Sequence, residues 1–327
     1  MLKTIVPTVL WSALLWFVWT GSVSANPQVW KHEWRKTDFT KHSVPFAEIR
    51  SGGPSKDGIP PIDAPKFALV PDVTDIGKSE PVIGLTINGQ IVAYPVRLLI
   101  WHEIVNDTVA GIPVTITFCP LCNAAIVFDR RLDGKVLDFG TTGKLRKSDL
   151  IMWDRQTESW WQQFIGEGIV GKMTGKRLKM LPARVESLAN FRKRFKTAKI
   201  LVPNHAGMRP YGRNPYAGYD SASRPFLYRG GYPKDIEPMA YVVTVGKQAW
   251  PLKLIQRNKT VTVGNLRLSW TAGQNSALDS GIIKSGRDLG NLVVQKKGAS
   301  GWVDTVHDLT FAFVFHAFVP DGVIHKQ

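Results

Sequence analysis

The chain is poor in cysteine, and that scarcity removes several function classes at once. Two cysteines in 327 residues cannot supply a disulfide framework, and they cannot fill a four-cysteine zinc site. Beyond the first twenty-five residues no apolar run is long enough for the ~20 residues of a membrane-spanning helix. No glycine-rich phosphate loop sits between a strand and a helix, and neither His-Glu-x-x-His nor Gly-x-Ser-x-Gly occurs. Nucleotide-binding and hydrolase readings therefore lack support. Acidic residues are also in deficit, 26 against 42 basic, for a formal net charge of +16. The basic residues are dispersed, as in Arg192-Lys193-Arg194 and Lys296-Lys297, which reads as a solvated basic surface rather than a nucleic-acid footprint.

The N-terminal segment has the layout of a cleaved secretory signal. Lys3 precedes an apolar stretch from Ile5 to Trp19, and small residues follow at Val23 and Ala25. Residues 1–25 are therefore expected to be a signal peptide, and the protein to be periplasmic or secreted with no span after cleavage. Residues 26–74, rich in Pro, Gly, Lys and Asp, read as an extended arm. Residues 75–200 and 236–327 read as β-rich units joined by an irregular segment, 201–235.

Within the first unit, alternating apolar residues around Asn88-Gly89 signal a β-hairpin. Pro95 then opens a helical pattern over 96–106 that would place His102 and Asn106 on one face. A strand at Val114–Phe118 runs into Cys119, and a second hairpin turns at Asp133-Gly134. The two cysteines thus lie in a turn between strands. Residues 149–163 read as two further strands with Trp160 and Trp161 in the core, and Ser187 is positioned to cap a helix to Phe195. An internal echo, Gly84–Leu99 against Tyr241–Ile255, predicts a duplicated unit whose second copy lacks the thiols. The expected fold is α+β, mainly β, built from two related β-rich units with few short helices.

Three chemistries fit Cys119-Pro-Leu-Cys122. Thiol–disulfide exchange is the first, but thioredoxin-like sites open a helix and this turn leads into a strand. The second is a metal knuckle, in which Asn123 tolerates the left-handed backbone that such a turn requires. Two thiolates with the imidazole of His102, and the thioether of Met152 as a further donor, would suit copper or zinc. Glu103 would orient His102. The third is a static local disulfide shaping a non-enzymatic binding module. A bridge across so short a loop would stabilise little, because the entropic gain grows with loop length.

The segments Lys41–Pro45, Ser51–Pro54, Lys56–Pro60, Trp101–Asp107, Cys119–Asn123 and Asp154–Thr157 resemble those of a bacterial and archaeal family, domain of unknown function three-one-seven-nine. The resemblance covers about Thr40 to Val319. It implies no activity, but His102, Glu103, Asn106, Cys119 and Cys122 match the family pattern, which favours their meeting in space. Phe311–Phe318 departs from the family's tryptophan-containing strand, so no role is carried to His316. The leading expectation is an exported redox or metal-handling protein whose partner is a metal ion or another exported protein.

Overall fold

The computed structural model describes residues 26–326; the expected signal peptide lies outside the described residues. With 40% of residues in strands and 15% in helices, the protein is β-rich.

The strands divide among five sheets of four or five strands and one small ribbon, Arg131–Leu132 with Lys135–Val136. The cysteine sheet runs in the order Lys179–Leu181, Ala124–Asp129, Ile112–Cys119, Ile104–Val109. The tryptophan sheet runs Ile49–Ser51, Phe139–Arg146, Asp149–Asp154, Trp160–Gln162, Glu167–Val170. A third sheet centres on Pro81–Ile87 and Gln90–Pro95, a fourth on Tyr241–Val245 and Gln248–Pro251, and a fifth on Leu266–Thr271 and Asn291–Gly298.

These five sheets make a five-bladed β-propeller, which corrects the expectation of two related units with an internal duplication. The sequence echo reflects local chemistry. Gly84–Leu99 and Tyr241–Ile255 each form a hairpin that passes through proline into a short helix, Val96–His102 and Leu252–Asn258. Similar turn and capping requirements select similar residues, and an odd number of blades does not halve. The stretch expected to be an extended arm also contributes strands, Ile49–Ser51 to the tryptophan sheet and Lys66–Leu69 to the third.

Local expectations fared better. Asn88 and Gly89 both have positive φ, +47° and +80°, and Ile87 pairs with Gln90, as a two-residue primed turn requires. Ser187 caps the helix Leu188–Arg194 by accepting from the Asn190 amide at 3.2 Å. Trp160 and Trp161 are both fully buried. Trp160 meets Trp34 edge-on at 5.2 Å, a geometry worth ~0.5–1.5 kcal/mol beyond area burial. That packing steadies the strand Asp149–Asp154, paired beside it.

One helix is shorter than its pattern. The helix opened by Pro95 ends at His102, because Glu103 takes a left-handed φ of +59° and the β-branched Ile104 and Val105 enter a strand. Consequently His102 and Asn106 do not share a helix face.

Candidate metal centre

The cysteine turn is a knuckle between antiparallel strands. Cys119 pairs with Ala124 across the ladder, and the Cys122 amide donates to the Cys119 carbonyl at 3.2 Å. Asn123 adopts a φ of +50° and its Nδ2 donates to the Leu309 carbonyl at 2.7 Å. Thr310 Oγ1 donates to the Cys122 carbonyl, also at 2.7 Å. The turn is therefore clamped from the fourth sheet at its second cysteine and at the residue that follows it.

Both cysteines are free thiols and both are buried. Facing them is Asp149, the first residue of a strand in the tryptophan sheet. One ligand atom from each of Cys119, Cys122 and Asp149 lies within 4.8 Å of the others, an arrangement compatible with metal binding. Cys122 Sγ donates to Asp149 Oδ1 at 3.3 Å. The other oxygen, Oδ2, accepts from Gln162 Nε2 at 2.6 Å and from the Phe164 amide at 3.0 Å. Those two donors hold the carboxylate in place and leave Oδ1 pointing at sulfur.

The electrostatics are one-sided. Burial raises the pKa of Cys119, and of Cys122 still further. Burial also pushes Asp149 up to about 6 and Glu103 up to about 8, and the two carboxyls repel one another's charge. Four acidic groups thus share a buried region, and no lysine or arginine is among the causes of any of these shifts.

The remaining expected site residues take other roles. His102 is buried with both ring nitrogens engaged. Its Nδ1 donates to the Pro60 carbonyl at 2.7 Å, and its Nε2 accepts from the Tyr211 hydroxyl at 2.7 Å. That pairing fixes a neutral tautomer with no free lone pair, and burial lowers its pKa. The expectation of His102 as third ligand, oriented by Glu103, gives way to Asp149. Asn106 is a clamp: Nδ2 donates to Asp63 Oδ1 and to the Phe139 carbonyl, each at 2.8 Å, while Oδ1 accepts from the Phe139 amide at 3.1 Å. Met152 is fully buried in the main core, three residues along the strand from Asp149 and so on its opposite face.

Asp149 escaped the sequence reading. The available signal was an acid opening the apolar run Leu150-Ile-Met-Trp153, where a buried charge needs a partner.

No curated protein and no solved structure matches the chain. A family model described as "Protein of unknown function (DUF3179)" matches residues 56–322, most of the sequence, and the chain belongs to that family.

Proposed function

We propose that the protein binds a single zinc ion through Cys119, Cys122 and Asp149, and that it does so after export, in the periplasm or outside the cell. The observation that carries this reading is the convergence of two sulfurs and one carboxylate oxygen within 4.8 Å at a buried knuckle. Two soft thiolates combined with a hard carboxylate suit zinc, which accepts sulfur, nitrogen and oxygen alike. Copper(I) favours an all-soft ligand set, so the oxygen ligand weighs against it. Asp149 has amide and thiol donors and no ion-pair partner among the described residues, and a divalent ion would supply the positive charge while displacing the thiol protons.

Thiol exchange is the poorer use of these residues. It requires an accessible thiolate, whereas both thiols are buried and their pKa values lie above that of a free cysteine. A static bridge is likewise at odds with the two free thiols.

Elemental analysis of protein isolated from its native compartment tests the assignment. Wild type is expected to carry about one zinc per chain, and Cys122→Ser to carry little, as a site loses affinity with a thiolate ligand. Stoichiometric copper in place of zinc would transfer the site to that metal. A metal-free wild type that takes up neither ion would sink the proposal.

A further inference from the structure

A cavity of about 570 Å³ lies over the cysteine turn without reaching the sulfurs. Its walls are mainly apolar, with Leu121, Leu145, Leu150, Pro215, Ala217 and Phe226 among them. A cleft of this size and lining is typical of a small-molecule site.

Most polar groups at its edge are already spent. The Tyr219 hydroxyl donates to the Leu121 carbonyl at 3.1 Å and accepts from the Phe226 amide at 3.2 Å. Lys144 Nζ lies 3.4 Å from the Thr142 carbonyl and 3.5 Å from Glu33. Glu103 is the exception. It lines the cavity at 7% exposure, and its carboxyl has no hydrogen-bond or ion-pair partner among the described residues. The Tyr216 side chain also lines the cavity, and its hydroxyl likewise has none among the described residues.

The backbone is committed to presenting that carboxyl. Glu103 sits at φ +59°, a conformation that costs a non-glycine residue ~1–2 kcal/mol. Two backbone bonds hold it there: its amide donates to the Leu99 carbonyl at 2.7 Å, and its carbonyl accepts from the Phe118 amide at 2.8 Å. A strained residue that delivers an unpaired buried acid into an apolar cavity implies a missing partner.

We propose that this cavity binds a small, largely apolar molecule bearing one hydroxyl group, and that the Glu103 carboxyl accepts the hydrogen bond from that hydroxyl. A hydroxyl both donates and accepts, so the same group can accept a hydrogen bond from the Tyr216 hydroxyl. Cys119, Cys122 and Asp149 do not line the cavity, so a molecule bound there does not compete with a metal ion for the donors of the knuckle.

Calorimetric titration of the mature protein at pH 9, above the value of about 8 to which burial pushes the Glu103 carboxyl so that it only accepts, with 2-naphthol, 2-methoxynaphthalene and 2-methylnaphthalene tests it. The three share a ring system and differ in whether they donate, only accept, or do neither. Wild type should bind 2-naphthol about tenfold more tightly than either analogue, the increment of a hydrogen bond to a buried acid. Glu103→Met should reduce that preference to about threefold or less, since the acceptor is gone. Ala217→Phe adds bulk to the cavity lining while keeping the Glu103 carboxyl, and should weaken all three probes about tenfold or more. Failure of wild type to bind any probe would overturn the proposal, as would equal affinity for all three or an Ala217→Phe protein that binds like wild type. The wild-type series and Ala217→Phe decide the matter even if Glu103→Met does not fold.

Discussion

Two buried polar clusters in this protein solve the same electrostatic problem in opposite ways. Asp220, in the 201–235 segment, is fully surrounded by donors. It accepts from the Tyr241 hydroxyl at 2.9 Å and from Ser276 Oγ at 2.5 Å, and it is paired with Arg287 at 2.7 Å. Asp149 has amide and thiol donors only, and the groups nearest it are two thiols and a second acid, Glu103. The Asp220 cluster borders a cavity of about 990 Å³, larger than the one over the cysteine turn. Yet its central acid is already satisfied by the chain's own residues. Size therefore ranks these regions wrongly. Unsatisfied chemistry is the better guide, because burying an acid without a counter-charge is costly unless something outside the chain, a proton or a metal ion, completes it.

The sharpest test of that contrast uses pH. Asp308 shares the uncompensated character of the cysteine side: burial lifts its carboxyl from 3.8 to about 7, its Oδ1 accepts from the Ala125 amide, and its Oδ2 has no partner. A raised carboxyl pKa means that the folded state binds a proton which the unfolded state has released. The associated stability is thus full below about pH 4 and is lost as pH climbs to about 7. Chemical denaturation of metal-free protein across that window should show a fall of up to about 4 kcal/mol from this group. Asp308→Asn should remove this group's share of the slope and leave the share that the raised carboxyls of Asp149 and Glu103 contribute with the same sign. A flat wild-type profile would mean that the acid is compensated after all.

Asp220→Ala should cost about 3 kcal/mol, since it strands the Tyr241 and Ser276 hydroxyls and the arginine. The value sits at the low end for a buried pair because the Arg287 side chain is 38% exposed and screened by water. Zinc content should not change, whereas a drop in zinc on this substitution would show the two clusters to be coupled. Asp149→Asn addresses the other side. It should leave the fold intact and weaken zinc binding by more than the ~10–100-fold that loss of an outer-shell partner costs, while His102→Gln leaves zinc stoichiometry at the wild-type value. If His102→Gln, and not Asp149→Asn, empties the site, the ligand assignment is wrong. The smallest effect belongs to the turn itself. Asn123→Ala should cost about 1–2 kcal/mol through the left-handed backbone and the lost bond to Leu309, and Asn123→Gly should recover part of it. Equal stability of the two variants would indicate that the backbone conformation contributes little.

Much of the local structure is legible in the sequence. The Asn88-Gly89 turn, the Ser187 cap, the buried Trp160-Trp161 pair and the placement of the cysteines between two strands each depend on a few neighbouring residues. In each case the controlling term is local: the backbone freedom of Asn and Gly, the side-chain oxygen of serine, the size of indole. The helix after Pro95 was legible at its start and misjudged at its end. An apolar periodicity persisted through Ile104, while the left-handed turn at Glu103 is held by a bond from Phe118 in the neighbouring strand. His102 was misassigned for a related reason. Its two partners, Pro60 and Tyr211, lie 42 and 109 residues away, and no pattern near His102 announces them.

The chain's own order of residues thus determined where the thiols would sit, what turn would carry them, and that too few cysteines exist to complete a metal site alone. Only the tertiary structure decided which third group faces the thiols. Gathering the strands into five blades rather than two units sets Asp149 of the tryptophan sheet against the knuckle of the cysteine sheet. It also turns His102 away toward the chain's own hydrogen-bonding groups. The physical reason is range: backbone preference acts over a few residues, whereas the partner of a buried charge is selected by packing among segments remote in sequence.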